Sequence, residues 1–182
     1  MKDLSLNLLD IAENSVKAGA TLTQLLLTQE AGILTFQVVD DGCGMTEEVL
    51  RGVVDPFYTT RTTRKVGMGL PLLRMAAEQT GGRMTVESRH KDAYPDNHGT
   101  VVTAVFHTDH IDCPPVGDMT ATVTTLIQGH PDTDFYFRHV CDGTEVELDT
   151  RALREILGEV SLAEFEVLQW ITGYLTDQYN GQ

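Results

Sequence analysis

The stretch Val39-Asp40-Asp41-Gly42-Cys43-Gly44-Met45 constrains this chain more than any other. It closes an apolar alternation, Leu34, Phe36 and Val38, with carboxylates and two glycines. Residues 33–40 read as a strand, in which side chains alternate between faces. Asp40 then shares a face with Leu34, Phe36 and Val38, and Asp41 points the other way. A carboxylate aimed at the interior is costly unless donors meet it. Gly42 and Gly44 let the backbone take unusual angles and approach a planar group closely. An inward carboxylate beside bare backbone suits an amino group on a flat ring. Taken alone, the same pattern also describes a strand ending in a surface turn, since Asp-Gly pairs mark turns.

Upstream, residues 4–18 have helical period. Leu4, Leu8, Leu9, Ile11, Ala12 and Val16 fall on one arc at ~100° per residue, with Gly19 as a stop. Asn7, Asp10, Glu13, Asn14 and Lys17 form the polar arc. Asp10 and Asn14 lie one turn apart and can face one ligand. An amide oxygen beside a carboxylate suits a hard cation such as Mg²⁺, while a solvated helix face is the plainer alternative. Thr21–Thr28 and Ile33–Asp40 form a strand pair turning at Gln29-Glu30-Ala31-Gly32. A short helix follows from Glu47.

Asp55-Pro56-Phe57-Tyr58-Thr59-Thr60-Arg61-Thr62-Thr63-Arg64-Lys65 has no apolar period and reads as a mobile loop. Its three cations suit a polyphosphate. Gly67-Met68-Gly69-Leu70 then leads into a helix that ends near Gly81-Gly82, with Pro71 in its first turn. Glycines before a helix N-terminus offer free N–H groups to an anion. The pattern is neither a P-loop nor a dinucleotide fingerprint. Arg83–His90 and Thr100–His107 read as a further strand pair.

The chain has 182 residues, a net charge of −14 and no apolar run near the ~18 residues of a membrane span. The acid balance argues against nucleic-acid binding. Residues 1–109 hold 10 Lys+Arg against 14 Asp+Glu, and residues 110–182 hold 3 against 13. That shift divides the chain into an N-terminal domain, 1–109, and an acidic α+β extension, 110–182, expected to pack on it. Cys43, Cys113 and Cys141 fit neither a zinc pattern nor a disulfide framework. A reducing cytoplasm is the simple expectation.

The order Asp10…Glu13-Asn14, Asp40-x-Gly42-x-Gly44, Phe57, Gly67-x-Gly69-Leu70 and Gly99-Thr100 resembles the GHKL (Bergerat) ATP-binding fold of DNA gyrase B, histidine kinases, MutL and a heat-shock chaperone. The run Asp55–Arg61 and Gly67–Leu73 are most similar to histidine kinases. The whole chain resembles small stand-alone ATP-binding proteins. The resemblance implies a two-layer α/β sandwich, a mixed sheet with helices on one face, here with the α+β extension added. It implies that Asp40 accepts from the adenine amino group and that Gly42, Gly44 and Met45 line the base pocket. It implies that Asn14 holds Mg²⁺ against the phosphates of ATP or ADP and that Asp10 orients water or a phosphoacceptor. Residues from Val53 to Val66 would form a lid, with Phe57, Thr59, Thr60, Arg61, Arg64 and Lys65 as candidate contacts. Gly67, Met68, Gly69 and Leu70 would hinge the lid on the phosphates, and Thr100 would reach adenine through water.

Two departures shape the functional expectation. Asp10 stands where glutamate is common in the ATP-hydrolysing relatives, so turnover is expected to be slow. The chain begins almost at the first helix, without a phosphoacceptor hairpin, so a kinase of this kind would act on a separate protein. The expected function is an ATP/ADP-Mg binding, histidine kinase-like protein that phosphorylates or regulates a partner in two-component-like signalling. The alternative is an ATP-gated interaction module with little catalysis, and a mismatch-repair type ATPase comes third. The partner and the oligomeric state stay open.

In the extension, Asp118 caps a helix to Gln128, and Phe135–Arg138 and Thr144–Leu148 flank a hairpin at Cys141-Asp142-Gly143. Thr150 is expected to cap a helix to Leu157. Ser161-Leu162-Ala163-Glu164 reads as a capping box for a last helix. Leu162, Phe165, Leu168, Ile171 and Leu175 form its core stripe at helical spacing.

Overall fold

The computed structural model describes residues 3–54 and 69–181. Twelve elements follow in the order α1 (Leu4–Lys17), β1 (Leu22–Glu30), β2 (Ile33–Asp40), α2 (Glu47–Val54), α3 (Gly69–Gln79), β3 (Arg83–Arg89), β4 (Gly99–His107), α4 (Met119–Gly129), β5 (Asp134–Cys141), β6 (Thr144–Asp149), α5 (Thr150–Leu157) and α6 (Phe165–Asn180). The strands form one six-stranded sheet, ordered β3-β4-β2-β1-β5-β6. It is mixed, because β1 and β5 pair in parallel and the other neighbours are antiparallel. The α/β class expected from the sequence is therefore the class observed.

Register brings the buried side chains onto one face. Leu25 sits opposite Val38 and Phe137, and Phe36 opposite Leu27 and Ala104. All of these are at most 1% exposed. Helices α1, α3, α4 and α6 close over that face through Leu8, Leu73, Leu126 and Ile171, each fully buried. The β1–β2 turn places Ala31 and Gly32 at φ 51° and 79°, the twisted two-residue form that matches strand twist. At the far edge, the Gln178 side chain of α6 accepts from Glu147 N–H (3.0 Å) and donates to Glu147 C=O (3.0 Å), occupying the open side of β6.

Residues 110–182 are woven into the same sheet and the same helical layer. Strand β5 lies against β1, and α4 lies against α1. Leu4 N–H and Ser5 N–H donate to the carbonyls of Pro115 (2.9 Å) and Val116 (2.8 Å), and Thr122 Oγ1 donates to Ser5 C=O (3.1 Å). Asn7 is only 4% exposed, not on a solvated arc as its helical position predicts.

Three expectations about the extension need correction. Asp149, not Thr150, caps α5 by accepting from Arg151 N–H. Thr150 is fully buried, donating to Asp134 Oδ1 (2.9 Å) and accepting from Phe135 N–H (2.9 Å). The Ser161–Glu164 capping box does not form. Ser161 Oγ accepts from Ala163 N–H instead, Leu162 drops into the core, and α6 starts at Phe165. Phe165 leaves the predicted stripe and is 70% exposed, whereas Leu162, Ile171 and Leu175 are buried.

Asp41, on the outer side of the strand end, ties β2 back to β1. It accepts from Thr21 N–H (2.7 Å), Leu22 N–H (3.0 Å) and the Thr21 hydroxyl. Partial burial pushes its carboxyl up, but the donors from Leu22 and Thr21 outweigh that and hold it below its ordinary value. A depressed folded-state value gives stability that is present above the unfolded value of about 3.9 and is lost as pH falls through the folded one. Asp41→Asn should therefore melt below the parent at pH 7, with the gap closing below about pH 4; parallel melting curves across that range would contradict the assignment. A chain ended after Asp109 opens the outer edge of β1 and strips α4 from α1. It should show no cooperative thermal transition by circular dichroism, and a sharp melt would show that the N-terminal part is self-sufficient.

Candidate functional site

The site is built beneath α1, where β2 and β3 end and β4 begins. Asp40, Thr100 and Ser88 are register neighbours across these three strands. Among the described residues, the Asp40 carboxylate is met on each oxygen by one donor. Ser15 Oγ of α1 donates to Oδ2 (2.6 Å), and Gly42 N–H donates to Oδ1 (2.9 Å). Each carboxylate oxygen has room for a second acceptor contact, so the group is anchored without being saturated. Ser88 Oγ accepts from Met45 N–H (2.7 Å), lies 2.8 Å from Thr100 Oγ1 and donates to Gly99 C=O (3.2 Å).

The loop after Asp40 is strapped from both sides. Cys43 N–H donates to Ala18 C=O (2.9 Å) at the end of α1, and Lys91 N–H donates to Cys43 C=O (2.8 Å). Gly42 has no room for a side chain, since a Cβ there would lie 2.9 Å from Ala18 Cβ. Gly44 has φ +72°, and a Cβ would lie 2.0 Å from Arg89 C=O. The two glycines therefore exist to let this loop pass between α1 and the end of β3.

Together these elements enclose a pocket of about 330 Å³, within the usual size of small-molecule sites. Asp40, Asn14, Thr100, Gly44, Met45 and Leu70 all line it, and its apolar wall comes from Ile11, Val49, Val53 and Val102. The N-terminus of α3 closes the same end. Gly69 opens that helix, and a Cβ on it would lie 3.4 Å from Asp10 Cβ. Asp10 thus sits beside a helix N-terminus, one turn before Asn14 on the same helix.

Of the residues singled out in sequence, the structure brings Asn14, Asp40, Gly44, Met45, Leu70 and Thr100 around one pocket, with Asp10 and Gly69 adjoining. Gly42 is not among the lining residues; its N–H holds Asp40. Phe57, Thr59, Thr60, Arg61, Arg64, Lys65, Gly67 and Met68, with the lid segment from residue 55 onward, lie outside the described residues, whereas Val53, expected to open the lid, belongs to α2 and lines the pocket.

Two contributors escape sequence reading. Ser15 is 3% exposed, although it follows the polar Glu13-Asn14 pair. The signal was present: Ser15 is four residues after Ile11, on the inward arc, where a hydroxyl needs an acceptor. Ser88 is legible only once the β3–β4 register is known. Among the described residues no group of His, Cys, Asp and Glu could by itself hold a metal ion. A cation here would take one protein ligand and keep its other oxygens from water or phosphate, which is the habit of Mg²⁺.

Comparison with known proteins gives this geometry a lineage. Residues 2–110 match the family described as "Histidine kinase-, DNA gyrase B-, and HSP90-like ATPase". Sensor protein KdpD of Clostridium acetobutylicum is 27% identical over 89 residues, which is 46% of this chain and 10% of that protein. Sensor kinase CckA of Brucella abortus is 37% identical over 60 residues, covering 32% of this chain and 6% of its own length. Tetrathionate sensor histidine kinase TtrS of Salmonella typhimurium is 33% identical over 99 residues, 54% of this chain and 16% of its own. The chain thus spans less than a fifth of the length of these relatives. Among solved structures, the catalytic domain of histidine kinase ThkA in a nucleotide-free form is similar at 19% identity, over 54% of this chain and 62% of that one, with a TM-score of 0.39. The mycobacterial sensor histidine kinase MprB is similar at 23% identity, over 53% of this chain and 64% of that one, with a TM-score of 0.40. By its family match over more than half its length, the chain belongs to the histidine kinase-, DNA gyrase B- and HSP90-like (GHKL) ATPases.

Proposed function

We propose that the pocket binds ATP or ADP with Mg²⁺, and that the protein uses the nucleotide to phosphorylate or regulate a separate protein. The observation that carries this reading is the Asp40 carboxylate, held by Ser15 and Gly42 and exposed to a pocket bordered by Asn14 and Thr100. A purine amino group supplies the donor that the carboxylate lacks, and the apolar wall accepts a flat ring.

The chain's own groups divide the work. Asp40 fixes the purine edge, and Thr100, oriented by Ser88, borders the same edge. The Asn14 amide oxygen would coordinate Mg²⁺, and free N–H groups at the start of α3 would face the phosphates. Bound Mg-ATP supplies the transferable phosphoryl group. Asp10 would orient the incoming acceptor and take its proton. Basic residues of the lid segment, Arg61, Arg64 and Lys65, would add positive charge. None of the six histidines lies on a helix, and the acceptor in this reading belongs to a separate protein. The cytoplasm, which holds ATP and keeps thiols reduced, suits the three free cysteines. Among the described residues no helix is long and apolar enough to cross a membrane.

A second reading, an ATP-gated interaction module with little turnover, is favoured by one contact. His130, just after α4, pairs with Glu13 at 2.9 Å, and Glu13 adjoins Asn14 on α1. The acidic extension therefore touches the helix that would carry the metal ligand.

Calorimetry with Mg-ADP should show saturable binding to the parent. Asp40→Asn should lose at least about tenfold in affinity, because an amide presents a donor to the purine amino group. The variant should stay folded, since the Ser15 hydroxyl can reverse its role and accept; undiminished affinity would remove Asp40 from the site. Incubation with γ-labelled ATP and candidate acceptor proteins separates the two readings. Transfer that disappears in Asp10→Ala while binding persists supports the kinase, and tight binding with no transfer supports the gate.

A further inference from the structure

The last two helices leave an apolar groove uncovered. Leu153, Ile156 and Leu157 of α5 face Val167 and Trp170 of α6 around a cavity of about 340 Å³, with Glu166 at its border. Apolar groups on these two helices are unusually bare. Ile156 is 82% exposed, Phe165 70% and Trp170 51%. Trp170 and Tyr174 stack with ring centroids 4.8 Å apart and planes 10° apart, giving one flat aromatic surface. Single exposed apolar residues are ordinary, but a contiguous aromatic and aliphatic patch marks an interaction surface. Trp and Tyr are also the residues that most often carry binding energy.

The charge carried by these two helices and the residues between them points to its occupant. Glu155 and Glu159 flank Ile156 along the chain, and Glu164 and Glu166 flank Phe165. All four are exposed, and among the described residues none has a cation within ion-pair distance. The arginines of α5 are committed elsewhere: Arg151 pairs with Asp149 at 3.0 Å and Arg154 with Asp134 at 2.7 Å. A second copy is a poor occupant, because a two-fold contact would set one acidic helix pair against another in a chain of net charge −14. A nucleic acid or an anionic lipid surface meets the same repulsion.

We propose that the α5–α6 groove docks a basic amphipathic helix of a partner protein. Its apolar side chains would enter between Ile156 and Trp170, and its Lys and Arg would meet Glu166 and the acidic surface beyond it, the helix-in-groove mode of recognition. The groove lies on α5 and α6, away from the pocket lined by Asp40 and Asn14. The inference therefore stands apart from the nucleotide reading, and its test contains no nucleotide.

The probe is a labelled helical peptide of about 16 residues, leucines at i, i+3, i+4 and i+7 and lysines elsewhere, added to the full chain. Trp170 is the sole tryptophan, so its emission reports docking directly. Saturable binding tighter than about 100 µM, a blue shift of Trp170 and weakening by salt are expected. Trp170→Ala and the fourfold change Glu155→Gln, Glu159→Gln, Glu164→Gln, Glu166→Gln should each lose at least about tenfold, with the second variant also losing the salt dependence. Ile156→Ser, at a more exposed position, supplies a further check should Trp170→Ala melt early. The same peptide with its leucines and lysines scrambled should bind at least about tenfold more weakly. Equal binding of the scrambled peptide, binding of a glutamate-for-lysine peptide, or no blue shift up to about 1 mM would overturn the proposal. So would sedimentation showing that the chain self-associates with a blue-shifted Trp170 in the absence of peptide, since a second copy would then own the groove.

Discussion

A charged group at the end of a buried strand has to be met by donors, and the way Asp40 is met ties three parts of the molecule together. One oxygen takes the Ser15 hydroxyl from α1 and the other takes the Gly42 N–H from the loop that follows. Helix, strand and loop are thereby held in one relation. The loop is pinned further by Ala18 on one side and Lys91 on the other. Such interactions are strong in a poorly solvated setting, where an unmet carboxylate would be costly. The pocket lies at this junction, with Asp40, Asn14 and Thr100 in its lining.

The parts legible in the sequence are those whose local pattern agrees with their final surroundings. The alternation in Leu34, Phe36 and Val38 survives because the strand is central and one face meets helices. The motifs from Asp10 to Thr100 are readable because they fall within the stretch that matches a known family. What escapes is set by distant contacts. Ser15 looks like a neighbour of the polar Asn14, and only the approach of β2 shows why a hydroxyl is needed there. Asn7 sits on a polar arc by period, yet it is buried in a helix that α4 packs against. The Ser161–Glu164 box has the right letters, but burying Leu162 takes the segment out of helical register before it can cap. Nothing local announces that β5 will lie parallel to β1, because the two are joined only through most of the chain.

The contrast in charge between the two parts of the chain does not correspond to a physical separation. The acidic residues 110–182 supply two of six strands and a helix that lies on α1. Their apolar residues, Phe135, Phe137, Leu126 and Ile127, are as deeply buried as those of the first half. The acid is carried by the outward residues of this region, Glu155, Glu159, Glu164 and Glu166 among them. A shift in composition here reports what the surface meets, while the core runs through without a break.

The amide of Gln178 has a consequence beyond its two hydrogen bonds. An outermost strand offers its free peptide groups as a template on which any passing extended chain can add itself. At β6 those groups on Glu147 are already spoken for by a side chain that mimics a peptide, giving and receiving one bond each. The opposite margin, β3, alternates Arg83, Glu87 and Arg89 on one side of the strand, and charged side chains there discourage the same event. Growth of the sheet by recruitment of foreign strands, the first step toward fibrous polymers, is hindered at both borders by ordinary side chains.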